Sequence, residues 1–586
     1  MEKVLKGIKN SFGKIGTAYK KFSEKDARID TIITISGVML FAFLVMFTCQ
    51  KIMGANAVSI ATNKAEASFF EGDYDAAIAE YEKLQEDDEW PIYTTKIAEI
   101  YSVKGDYEKS NSLLEQSYQK RNELINENGK SKYNDVDGEL GNLIALTFLM
   151  NGEKEKALEY GEMFMKENAL DKSIQRTMFT IYMVNGQRDK ANNIIKEYDV
   201  DEESSYDLAL YARMNMLVDD WDKGYEILKD AWYKNKDEIK VYDVIAQISS
   251  YDRDAVIMKL TELSEANPDE VCYKVWLAKC YSMLEETTNE ANTLVQELEG
   301  KDVGNVVFKT IIAKIDQHLG NNEEAERILN AVIENDENSY FGYHTAAWYY
   351  FDLGDYDKAF ELCKQSILEN KDYPDNYGFL IPEIMIAKEQ SEIAEPYLRM
   401  AIEKEPFNYN ILLKIADYYS YNTQDKGKAY EYYNLASLVK PNDAEILYNM
   451  ANIKIEDGKN SEAIELLKQC TKLDEQSTKY FRTLGTVYLN EGKTDEAIAA
   501  IRSAYSVDKS DLKTLNNAGV FYIAMEGEIE RGMVNIKAAY NGLTNSVDTE
   551  TRNVISENYQ KAKTLYDAYN KEDGSKLTVP DFTLFY

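Results

Sequence analysis

Apolar residues recur every three or four positions along most of this chain, in short blocks broken by glycine-containing turns. The block at 477–510 has the clearest pattern. Phe481, Leu484, Gly485 and Tyr488 share one face of a first predicted helix, and Ala497, Ile501 and Ala504 share one face of a second. Asn490-Glu491-Gly492-Lys493 forms the turn between them. One hairpin of this kind cannot cover both of its apolar faces, so the pattern predicts stacked copies.

The turn glycines give the period. Gly72 and Gly105 lie 33 residues apart, and the pairs Gly152/Gly186, Gly320/Gly354 and Gly458/Gly492 each lie 34 apart. A small residue keeps step in each second helix: Ala77, Ala157, Ala191, Ala325, Ala359, Ala394, Ala429, Ala463 and Ala497. Another keeps step in the first: Ala98, Ala145, Ala313, Ala347, Ala416, Ala451 and Gly485. Gly-Asp-Tyr recurs at 72–74, 105–107 and 354–356. Alternating β-branched runs are nearly absent, so the expected class is all-α.

On these residues the chain resembles the tetratricopeptide repeat (TPR) family, whose unit is a helix-turn-helix of 34 residues. The resemblance implies a TPR solenoid, or superhelix, of about fourteen units over residues 58–545, degenerate near 240–300. A polar insertion at 126–138 is expected to be a long loop or a helix extension. Residues 549–571 read as a capping helix. The tail at 572–586 is apolar and could fold back into a groove or serve as a ligand for another protein. Pro382 replaces the small residue of its unit, and Pro396 is expected inside the following helix. Proline removes a hydrogen bond and clashes with the preceding turn, so a kink or break is expected between Tyr373 and Met400.

In the family the first helix of each unit lines the concave surface and binds extended peptides. Carried over, the groove positions of one unit are Phe341, His344, Trp348 and Phe351, and those of the next are Asn376, Phe379 and Glu383. Recognition by these aromatic anchors competes with a plainer role in packing neighbouring helices. The Lys/Asn pattern of the family's carboxylate-clamp subtype is not found, so recognition of chaperone C-termini is not implied.

The N-terminal stretch differs from the rest. Residues 1–30 carry more Lys and Arg than acids, with Val4, Leu5, Ile8, Phe12, Ile15, Tyr19 and Phe22 as an apolar stripe. That suits a helix on an anionic membrane surface or a basic leader that sets topology. No charge interrupts Thr31 to Cys49, and the apolar run 31–53 is long enough to cross the roughly 30 Å hydrocarbon core of a bilayer. A single transmembrane helix is therefore expected before the solenoid. The basic excess on its N-terminal side places the N-terminus in the cytoplasm and the repeats outside, at the plasma membrane. A cleaved signal ending at Ala55-Asn56-Ala57 is the competing reading.

Composition narrows the function. Asp and Glu number 102 against 67 Lys and Arg, a formal net charge of −35, which excludes a generic nucleic-acid binder. The five cysteines form no CxxC pair and only two histidines are present, so no metal site is expected. Asp135-Val136-Asp137-Gly138 hints at a calcium loop, but the remaining ligand positions are unfilled. No phosphate-cradling loop, HExxH or nucleophile elbow is found, so no catalytic residues and no cofactor are expected. The expected function is a membrane-anchored, non-enzymatic scaffold for protein or peptide partners at the cell envelope. Two alternatives remain: a cytoplasm-facing adaptor for secretion or envelope assembly, and an enzyme with its site in the insertion or the degenerate repeats.

Overall fold

The computed structural model describes residues 63–334, 339–571 and 577–586. The basic leader at 1–30 and the expected membrane span at 31–53 lie outside the described residues. Among the described residues no helix is long and apolar enough to cross a membrane. Those residues form an all-α succession of antiparallel hairpins without a strand.

The Gly-Asp-Tyr signature explains the hairpin turns atom by atom. Each glycine ends a first helix with φ between +70° and +80°, a conformation that costs a residue with a Cβ about 1 kcal/mol or more. The following aspartate donates its amide back to the helix, as Asp73 to Ser68 O at 2.9 Å. Its side chain then caps the second helix: Asp73 accepts from Ala76 N, Asp106 from Lys109 N and Asp355 from Lys358 N. The tyrosine starts that helix, as in Tyr74–Asp87, Tyr107–Asn128 and Tyr356–Glu369. All nine second-helix alanines named above are fully buried, where the two helices of a hairpin approach closely.

The insertion proves to be a helix extension. Tyr107–Asn128 runs for 22 residues, and a short 3-10 turn at Lys130–Tyr133 leads into Asn134–Met150. Asp137 is buried there and accepts from Arg121 Nε at 2.7 Å and Nη2 at 2.6 Å, from Asn168 at 2.8 Å and from Lys130. Burial alone would raise its pKa, but these donors outweigh it and hold the carboxyl below its usual range. Both of its oxygens are engaged by protein donors. The stretch at 240–300 keeps the hairpin plan. Its signal is weak because Ile239–Tyr251 and Arg253–Ala266 meet at a single joint residue, Asp252, in place of a glycine turn. Asp252 caps the second of these helices by accepting from Ala255 N at 3.0 Å.

The break expected between Tyr373 and Met400 takes two forms. A π-helical turn at Asn376–Leu380 precedes Pro382, which has no amide to donate. A 3-10 turn at Ser391–Ile393 precedes Glu395–Lys404. Pro396 sits in the first turn of that helix, where a proline is tolerated, and not in a helix interior as expected.

This irregular unit closes the solenoid on itself. First helices of the early units present a shared face, and residues 373–439 pack into it. Phe70 stacks on Tyr397 at 4.7 Å, Lys96 pairs with Glu403 at 3.0 Å, and the Arg213 guanidinium lies over Tyr409 at 5.5 Å. Lys240 pairs with Glu405 at 3.2 Å and Asp243 at 3.1 Å, all three buried. Gln247 and Asn408 also donate to Glu405, at 3.1 and 2.8 Å. Burial works against the Lys240 charge, but Glu405 and Asp243 prevail and raise its pKa well above the ordinary value. One continuous hydrophobic core includes Phe148, Phe179 and Met214 from the early units together with Phe407, Tyr433 and Leu467.

Candidate functional site

Four consecutive first helices, Ile239–Tyr251, Val271–Ser282, Val306–His318 and Ser339–Asp352, leave part of the concave face uncovered. Residues 373–383 with Asn410 and Lys414 wall off the other side. Between them lies a cavity of about 460 Å³.

Of the seven expected groove residues, Phe341, His344, Trp348, Phe379 and Glu383 line this cavity. The other two stand behind the wall. Phe351 packs edge-on against Trp348 at 5.4 Å. Asn376 is fully buried, and its Oδ1 accepts from His344 Nδ1 at 2.9 Å while its amide donates to Ser366 Oγ at 2.8 Å. That arrangement fixes the imidazole tautomer and leaves Nε2 as the acceptor nitrogen. Burial pushes the His344 pKa down to about 4, so the ring is neutral near pH 7. Tyr373 completes the aromatic wall, edge-on to His344 at 5.0 Å, with its hydroxyl donating to Asp243 at 3.1 Å.

The charges around the cavity are mostly matched. Lys314 pairs with Asp352 at 2.5 Å and Lys414 with Glu383 at 2.6 Å. Lys279 differs: it lines the cavity, and among the described residues no carboxylate lies within ion-pair distance of its ammonium. Burial lowers its pKa, with more distant Asp243 and Asp375 opposing the shift. Asp375 is driven the other way, well above the usual carboxylate range, by burial and by neighbouring Asp243. The cavity therefore offers an aromatic and aliphatic wall with two ionisable side chains, Lys279 and Asp375, that make no ion pair among the described residues. Such a site suits an apolar group carrying or flanking a polar one.

Among the described residues no cluster of three or more His, Cys, Asp or Glu is placed to hold a metal ion. Cys272, Cys280, Cys363 and Cys470 are free and buried.

The sequence reading missed Lys279, Tyr373, Asp243 and Asp375. For two of them a signal existed. Stepping back from Trp348 by about one repeat gives Lys314, then Lys279, then Gln247, and all four line the cavity. The same steps from His344 give Thr310 and, two units further back, Asp243.

A tetratricopeptide-repeat model matches residues 342–373, 444–477 and 483–511, so the chain carries repeats of this kind. No curated protein matches the chain. Among solved structures, the APC/C hetero-tetramer Cut9–Hcn1 is 13% identical, covering 79% of this chain and 96% of that one with a TM-score of 0.32. Yeast Tom70 is 16% identical, covering 86% and 99% with a TM-score of 0.34. Pseudomonas aeruginosa pilF is 12% identical, covering 38% and 96% with a TM-score of 0.31.

Proposed function

With tetratricopeptide repeats as the premise, we propose that this chain is a membrane-anchored, non-enzymatic scaffold that holds partner proteins at a cell envelope. Its anchor is the apolar run at 31–53, and the basic leader orients the repeats to the extracytoplasmic side of the plasma membrane. The observation that carries the binding role is the 460 Å³ cavity, which joins aromatic anchors to the unmatched Lys279 on the concave face. A partner segment inserting an apolar side chain beside a polar group satisfies both features.

Cross-linking in the native membrane, followed by identification of the captured proteins, tests the reading. The variants Trp348→Ala and Phe379→Ala are expected to lose capture of a specific partner while keeping wild-type helix content. Loss of folding without selective loss of a partner would assign these rings to packing alone. Protease treatment of intact cells tests the orientation: cleavage within the repeats is expected, and their protection would overturn it.

A further inference from the structure

Residues 577–586 contain no helix and lie across the concave side of the last units, against Thr478–Asn490, Leu512–Ala524 and Thr549–Tyr569. Two asparagine side chains hold this segment by its main chain. Asn558 donates to Thr583 O at 2.7 Å and accepts from Thr583 N at 3.1 Å. Asn517 donates to Phe585 O at 2.7 Å and accepts from Phe585 N at 2.9 Å. A carboxamide carries the same donor and acceptor pair as a peptide group, so the two asparagines act on alternate residues much as a neighbouring β-strand would. Asn516 adds a bond to Thr583 O at 3.2 Å, and Thr486 Oγ1 donates to Phe585 O at 2.8 Å.

All three asparagines are buried, Asn516 and Asn558 completely. Buried amides need partners, and here an extended main chain supplies them. Such bonds carry no side-chain selectivity. Selectivity comes from the apolar contacts on either side. Phe582 and Leu584 pack against the buried cluster that holds Val520, Ile523, Met533 and Leu565. Phe585 packs against the cluster of Leu515, Ala539 and Ile555. Pro580, which has no N–H, lies before the clasped residues.

We propose that this groove is a second protein-binding site, that residues 577–586 are its tethered occupant, and that a partner segment binds there by displacing them. The inference rests on the scaffold reading and extends it to a particular surface and ligand. The partner segment is extended and free of proline at two alternate clasped positions. It repeats the aromatic-x-apolar-aromatic order of Phe582, Leu584 and Phe585. Because the occupant is covalently tethered, its effective concentration is of the order of millimolar, and it gates the groove against weak competitors.

The test uses the full chain in detergent and a fluorescent peptide with the sequence of residues 577–586. Phe585→Pro removes the N–H that Asn517 accepts and leaves the groove side chains intact. Anisotropy is expected to show the peptide binding this variant at least tenfold more tightly than the wild-type chain. Adding Asn517→Ala to the variant is expected to cost at least another tenfold. Equal binding by wild type and Phe585→Pro, or no binding by a folded Phe585→Pro chain, would overturn the proposal. Should that variant fail to fold, hydrogen exchange at the Thr583 and Phe585 amides of the wild-type chain replaces it. Excess unlabelled peptide is expected to speed exchange at both, and unchanged exchange would equally overturn the proposal. Loss of partner capture at the central cavity would strike the scaffold reading while leaving these results in place.

Discussion

His344 is neutral because burial excludes its charged form, and this ties the cavity wall to pH. Its pKa is about 4 in the folded chain and near 6.5 when unfolded, so between those values the unfolded chain binds more protons. The associated stability is fully present above pH 6.5 and is lost as pH falls toward 4, a change of about 3 kcal/mol. Urea unfolding at pH 7 and pH 4.5 is expected to show a smaller difference for His344→Gln than for wild type. An equal difference would mean that the ring does not titrate against folding. At this scale the sequence was informative wherever one residue type answers one geometric demand. The turn glycines, the capping aspartates and the buried alanines all stood out, because each is needed by a single hairpin. His344 and Trp348 were legible as groove positions from the repeat register. Asp375 was not, since its place depends on an irregular π-helical turn that periodicity does not encode.

Within hairpins, the spacing of two helices depends on what lies between them. Gly519 and Gly532 let Leu512–Ala524 and Ile529–Asn541 approach backbone to backbone. A Cβ on Gly519 would lie 2.4 Å from Ile536 Cγ1 and 2.8 Å from Gly532 O. The second of these is main chain and cannot rotate away. Gly519→Ala is therefore expected to cost about 1–3 kcal/mol, seen as a lower urea midpoint. Wild-type stability in that variant would show that the hairpin can widen freely. The hairpins themselves were legible, because each apolar stripe specifies its nearest neighbour. Where proline enters, the sequence located the fault but misjudged its form: Pro396 starts a helix, and Pro382 is accommodated by a wider turn upstream. A second π-helical turn at Tyr418–Asn422 contains no proline and had no comparable signal.

At the scale of the molecule, the irregular unit rests on buried charge. Glu405 accepts from Lys240, Gln247 and Asn408 together, so Glu405→Ala leaves three donors without it. Removing one partner from a buried pair costs about 3–5 kcal/mol, whereas replacing the charges on both sides by apolar groups is often nearly neutral. Urea unfolding is expected to show that loss for Glu405→Ala, and a smaller one for Glu405→Gln, which keeps an acceptor for Gln247 and Asn408 and leaves Lys240 paired with Asp243. A loss below 1 kcal/mol would mean that the pair does not hold the closure. None of this was legible in the repeat pattern, which says which hairpin follows which and nothing about partners 165 or 307 residues away. That separation also sets a timetable for synthesis. Lys96 finds Glu403 only 307 residues later, and Lys240 finds Glu405 only 165 residues later. At 5–20 residues per second, Lys96 waits about 15–60 s. Over that interval the early repeats leave the ribosome with their inner face wet, and the cavity is shaped only when its last wall is translated.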